Sequence, residues 1–162
     1  MSSDPQHPFL RPKGRPSISP ILEDELFVGS FPTADDADWL HSEYGISAVL
    51  SLQDDWDLLA KNLVEKDLQR AYAAAGITFV RLPIIDGDLA DVARRMGDVL
   101  VRMEQMIQDA GTMLVHCNAG YNRAPTAAIG YLHRCRGMSL SEAELFVRRR
   151  RPCAPYTSLL EA

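Results

Sequence analysis

Val115-His116-Cys117-Asn118-Ala119-Gly120-Tyr121-Asn122-Arg123-Ala124-Pro125-Thr126 starts as the end of an apolar strand and finishes as the first turn of a helix. Five residues separate Cys117 from Arg123. A loop this short at a helix N-terminus curls so that backbone N–H groups of Asn118, Ala119, Gly120, Tyr121, Asn122 and Arg123 converge on one centre. That makes an anion nest, strengthened by the helix dipole. Gly120 supplies the backbone freedom for the curl. Pro125 is compatible with an early helix position, where a missing N–H costs nothing. Arg123 adds a planar fork suited to two oxygens of a phosphate. The sulfur of Cys117 lies at the mouth of the same field, which favours a thiolate nucleophile. A lone free cysteine is usually a small buried hydrophobe. Here strand, glycine, arginine and helix coincide, which favours the phosphate cradle.

Outward from this loop, short apolar runs alternate with helical periodicity. Strands are expected at Leu26–Gly29, Ile46–Leu52, Ile77–Leu82 and Thr112–His116. Helices are expected over about 34–44 with Thr33 as cap, 58–75 ending at Gly76, 89–110, 123–135, and 139–150 opened by Ser139-x-x-Glu142. In the fourth-strand approach, Val92, Met96, Val99, Met103, Met106 and Ile107 share one helical face. Strands alternating with helices imply an α/β fold, a mainly parallel central sheet with helices on both faces. Residues 1–20 carry Pro5, Pro8, Pro12, Pro16 and Pro20 with little apolar content. They read as a flexible or polyproline-like tail, with a single folded domain over 21–162.

At 162 residues the chain has the length of one ordinary domain, enough to bury a core without disulfides or a structural metal. The net charge of −5 argues against binding nucleic acid or an anionic membrane through a basic face. No apolar run approaches the roughly 20 residues of a membrane span. The polar N-terminus shows no secretory signal, and three cysteines do not read as a disulfide framework, so a cytoplasmic setting is expected. His116, His133, Cys135 and Cys153 lack zinc-finger spacing, and no Walker A spacing occurs. No metal and no cofactor are expected.

The His116-Cys117, five residues, Arg123 pattern resembles the signature of the cysteine-dependent phosphatases, and within them the dual-specificity group. His116-Cys117-Asn118-Ala119-Gly120 is similar to laforin and the plant starch phosphatases. Leu26-Phe27-Val28-Gly29-Ser30, Ile46–Leu52, Leu52-Gln53-Asp54-Asp55-Trp56-Asp57 and Arg151-Pro152-Cys153-Ala154-Pro155 extend the likeness over about residues 22–160. The resemblance implies a protein tyrosine phosphatase-like fold and phosphate monoester hydrolysis through a phosphocysteine. Tyr-, Ser- and Thr-phosphoproteins are the first substrate class it suggests. Phosphoglucans and inositol or sugar phosphates stay open, as does a phosphate-binding module with low turnover.

Ester cleavage needs a proton donor for the leaving oxygen. Asp86-Gly87-Asp88-Leu89-Ala90-Asp91 follows a strand, and Asp86 matches the family's acid. Asp88 ranks second, and Asp91 reads as a solvated residue or helix cap. Two features depart from the family pattern. Ala124 stands where most members carry a hydroxyl that helps the thiolate leave. Asn122 is expected to replace part of that function by hydrogen bonding. Trp56 and Tyr121 offer stacking surface for a sugar or serve local packing. Arg148 to Arg151 read as a solvated cap on the last long helix, or as a source of steering charge for anionic substrates.

Overall fold

The computed structural model describes residues 14–161. Five strands form one sheet in the order β1 (Ile18–Leu22), β2 (Leu26–Gly29), β5 (Met113–His116), β3 (Ala48–Ser51), β4 (Thr78–Arg81). β2, β5, β3 and β4 are mutually parallel, and β1 is antiparallel to β2. The helices are α1 (Ala37–Tyr44), α2 (Asp55–Ala60), α3 (Glu65–Ala74), α4 (Leu89–Ala110), α5 (Arg123–Arg136) and α6 (Leu140–Arg148).

Strand side chains alternate between faces, so the sheet separates two cores. Leu26, Val28, Ala48, Leu50, Met113 and Val115 pack with the buried faces of α4, α5 and α6. Phe27, Val49 and Leu114 point the other way, against α1 and α3. Both faces are covered, as the near-continuous apolar strands require. On α4, Val92, Met96, Val99, Met103 and Met106 are buried, and Ile107 packs at the edge of the same core.

Two expectations change. The helix expected over 58–75 is two helices. Asp54 and Asp57 cap each other's backbone N–H groups, starting α2 at Asp55. Asn62 then takes a left-handed conformation, φ 55°, which a short polar side chain tolerates, and the chain restarts as α3. Residues 18–20, expected to belong to the tail, lie in β1. Proline is acceptable on an edge strand, and Pro20 faces Phe27 across the β1–β2 ladder while Ile21 is buried. Pro5, Pro8 and Pro12 lie outside the described residues.

Candidate active site

The four parallel strands end on one edge of the sheet, where crevices for ligands form in open α/β folds. β5 delivers Cys117, β3 leads to Gln53, Asp54 and Asp57, and β4 leads through Leu82 to Asp86. β2 leads to Ser30 and Phe31. Between them lies a cavity of about 250 Å³, lined by Phe31, Lys61, Asp86, Cys117, Tyr121 and Arg123 among others. Cys117 is almost fully buried at its floor.

The loop from Cys117 to Asn122 turns its carbonyls away from that centre, and each has a donor. The Cys117 carbonyl accepts from His116 Nδ1 (3.0 Å), Asn118 from the Phe31 N–H (2.9 Å), and Ala119 and Gly120 from Arg151 (2.9 and 2.7 Å). The Tyr121 carbonyl accepts from the Ala154 N–H (2.8 Å), and Asn122 from the N–H and hydroxyl of Thr126 (3.1 and 2.7 Å). In a planar trans peptide the C=O and the next residue's N–H point oppositely. Six outward carbonyls therefore turn the N–H groups of residues 118–123 toward the centre. Gly120 has φ +66°, and a Cβ there would stand 2.5 Å from the Gly29 carbonyl oxygen. Only glycine fits this turn.

Arg123 is 1% exposed at its side chain, and Nη1 alone carries three bonds: Asp57 Oδ2 at 2.7 Å, the Ile84 carbonyl at 2.8 Å and the Leu52 carbonyl at 3.2 Å. Nε is buried without a hydrogen-bond partner. Burial opposes the charge, but Cys117, Asp57 and Asp86 outweigh it and hold the guanidinium above its ordinary pKa. A buried donor without a partner is what an anion in the cavity would satisfy. Burial and the neighbouring Arg123 push His116 down to about 4, against its hydrogen bond to the Cys117 carbonyl. Neutral His116 thus donates from Nδ1.

Asp86 lines the cavity with Oδ1 3.6 Å from Arg123 Nε, and its side chain is half exposed. Its backbone N–H donates to Asp54 Oδ2 at 3.0 Å. Asp88 instead caps α4, accepting the Asp91 N–H at 3.0 Å. Asp91 is neither the solvated residue nor the helix cap expected. It is buried, accepts the Ile85 N–H at 2.8 Å and pairs with Arg94 and Arg95. The Ile85 hydrogen bond, with Arg94, holds its carboxyl below the usual range. Asp91 therefore braces the Asp86 loop from below.

Asp57, not among the site residues expected from sequence, joins the site from α2. It accepts from Arg123 through Oδ2 and from Asn118 Nδ2 through Oδ1 (2.7 Å each), and Gln53 Nε2 donates to Asn118 Oδ1 at 2.9 Å. Its sequence signals are the Asp54-x-x-Asp57 pattern after a strand, a helix-start signature with an acidic third position, and its place in the Leu52–Asp57 segment that carries the family resemblance. Arg151 likewise touches the loop, through the Ala119 and Gly120 carbonyls. It is buried rather than a solvated cap or a steering charge. Asn122 also departs from expectation, because its Nδ2 donates to the Ala154 carbonyl at 2.7 Å, tying the loop to residues 153–155. Trp56 is 74% exposed on α2 and does not line the cavity, whereas Tyr121 does. Among the described residues, no cluster of three or more His, Cys, Asp or Glu is placed to hold a metal, and no helix is long and apolar enough to cross a membrane.

The family model for the dual specificity phosphatase catalytic domain matches residues 26–159. Phosphoglucan phosphatase DSP4, amyloplastic, of Castanea sativa is 32% identical over 146 residues, covering 88% of this chain and 38% of the relative. Dual specificity protein phosphatase Mpk3 of Drosophila melanogaster is 31% identical over 133 residues, covering 82% of this chain and 29% of the relative. Laforin of Mus musculus is 24% identical over 122 residues, covering 70% and 37%. The chain thus spans about a third of the length of these curated relatives. The crystal structure of Tk-PTP in the active form superposes with a TM-score of 0.73 at 25% identity, covering 89% of this chain and 90% of that one.

Proposed function

Because the chain belongs to the dual specificity phosphatase catalytic-domain family, we propose that it hydrolyses phosphate monoesters, with phosphorylated Tyr, Ser and Thr side chains of proteins as the first substrate class. The observation that carries this reading is the ring of outward carbonyls around Cys117, beside Arg123 Nε, which has no hydrogen-bond partner and only the ion pair to Asp86 at 3.6 Å. A phosphoryl group seated there receives N–H groups of residues 118–123 and the guanidinium, donors matched to three equatorial oxygens.

Cys117 Sγ, as thiolate, attacks phosphorus, and the bond to the ester oxygen breaks. Protonated Asp86 gives its proton to that oxygen, so the alcohol or phenol leaves neutral. The second step reverses the proton's path. Ionised Asp86 takes a proton from water as the oxygen attacks phosphorus, the S–P bond breaks, and inorganic phosphate leaves with thiolate restored. Asp57 and the carbonyls of Leu52 and Ile84 occupy Nη1, leaving Nε directed at the cavity. Folding the charges beforehand spares reorganisation during the reaction.

The catalytic unit in this reading runs from β1 through residue 161, reaching back past the Ile21 start expected from sequence. The three free cysteines suit a reducing compartment such as the cytoplasm. A second substrate reading, phosphoglucan, is favoured by the relatives named for that activity and by exposed Trp56, offset from the cavity on α2.

Phosphate release from an aryl phosphate, phosphopeptides, phosphoglucan and inositol phosphates ranks the substrates. Cys117→Ser is expected to abolish turnover on every one while the melting transition persists. Near-normal turnover in that variant would sink the mechanism.

A further inference from the structure

Arg151 lies three residues beyond the end of α6, in a turn where its N–H donates to the Val147 carbonyl at 2.9 Å. Its side chain is buried, yet it forms no ion pair with a carboxylate among the described residues. Its partners are neutral. Nε donates to the Gly120 carbonyl (2.7 Å), and Nη2 to the Ala119 carbonyl (2.9 Å) and Ser17 Oγ (2.8 Å). Nη1 donates to Ser19 Oγ (3.0 Å) and, more distantly, to the Val28 carbonyl (3.4 Å). Burying a cation without a counter-charge costs several kcal/mol.

We propose that Arg151 is a positioning residue for the phosphate loop: it holds the Ala119 and Gly120 carbonyls outward, so that the N–H groups of Gly120 and Tyr121 face the phosphate, and it sets a positive charge against that loop. The proposal rests on the reading of that loop as the reacting centre. Fit and charge both support it. A Cβ on Gly120 would stand 2.6 Å from Arg151 Nη2, so loop and guanidinium are packed as closely as glycine allows. Burial pushes Arg151 down to about 10, while Cys117 and Cys153 act in the opposite direction, favouring its charge. Arg151→Met therefore removes a positive charge that interacts with the Cys117 sulfur. Ser17 and Ser19 grip the guanidinium from β1 and its approach, which makes the edge strand part of the loop's support.

The test uses three variants of the full chain: Arg151→Met, Arg151→Lys and Ser17→Ala with Ser19→Ala. Inorganic tungstate serves as the phosphate mimic. Tungstate affinity and the rate of Cys117 alkylation by iodoacetamide at one mildly acidic pH are read beside the thermal melt. Arg151→Met should weaken tungstate binding and aryl phosphate kcat/KM by about 10- to 100-fold, the usual range for a supporting residue. It should also slow alkylation while melting cooperatively. The serine pair should move the same readouts in the same direction, by less. Should Arg151→Met fail to fold, Arg151→Lys decides. It should alkylate close to the wild-type rate, since the charge persists, but bind tungstate more weakly, since one ammonium cannot span both carbonyls. A folded Arg151→Met or Arg151→Lys protein with wild-type tungstate affinity overturns the proposal. If the wild type binds tungstate but hydrolyses no monoester, the catalytic reading falls alone, because neither tungstate binding nor alkylation needs turnover.

Discussion

Asp57 Oδ2 lies 2.7 Å from Arg123 Nη1, both side chains buried, and this pair determines which edge of the guanidinium is left for a ligand. Without Asp57, Nη1 would retain two neutral carbonyls and the fork could rotate. The same carboxylate holds Asn118 through its other oxygen, so one side chain from α2 positions both Arg123 and the residue that follows Cys117.

Asp57→Asn keeps the shape and removes the charge. It leaves Arg123 buried without its strongest partner, which costs stability by up to about 3–5 kcal/mol where no other group compensates. Activity on an aryl phosphate is expected to fall about 10- to 100-fold, less than for loss of the clamp itself, because Leu52 and Ile84 still hold Nη1. Melting temperature and kcat/KM measured on the same preparation check both effects. Unchanged kinetics would mean that Arg123 needs no help from α2.

Asp86→Asn should depress hydrolysis of esters with poor leaving groups far more than activated aryl esters, which need less protonation. Asp88→Ala should instead cost about 1 kcal/mol of stability as a lost helix cap, with leaving-group dependence unchanged. A series of substituted phenyl phosphates distinguishes the two. Equal losses across the series in Asp86→Asn would assign the carboxylate a structural role.

His116 is held neutral, its pKa pushed down to about 4 by burial and by Arg123. The unfolded chain takes up this proton near pH 6.5, and the folded chain only near 4. Between those values the unfolded state binds more protons, so stability falls as pH falls. The loss over the window is about 3 kcal/mol by linkage. Melting temperature followed from pH 7 to 4 should decline accordingly, and His116→Gln should decline less steeply. Parallel curves would show that His116 is not the titrating group.

Ala124→Ser adds a hydroxyl beside the loop at a fully buried position. A hydrogen bond from it to the departing sulfur would speed the breaking of phosphocysteine and leave the first step nearly unchanged. Asn122 is a poor stand-in for that hydroxyl, since its amide is tied to Ala154. Rapid-quench measurement of phosphoenzyme should therefore show less accumulation in Ala124→Ser and a faster steady state. No phosphoenzyme and no phosphate release in either protein would favour a phosphate-binding module.

From sequence alone, the local features were readable. Cys117 to Arg123 is one contiguous turn between a strand and a helix, so residue types at fixed spacing state its geometry. The apolar face of α4 and the strands of the parallel sheet were readable for the same reason, through periodicity within a few neighbouring residues. Tertiary structure alone decided what holds that turn in place. Asp57 stands 66 positions from Arg123, and Arg151 lies 31 from Gly120 and 134 from Ser17. β1 is a proline-bearing edge strand whose order comes from its pairing with β2 and from Arg151, not from its own composition. A charged residue looks the same in sequence whether it is solvated or buried. What makes Asp57 and Arg151 part of the site is the burial and partners they gain when distant segments meet at one sheet edge.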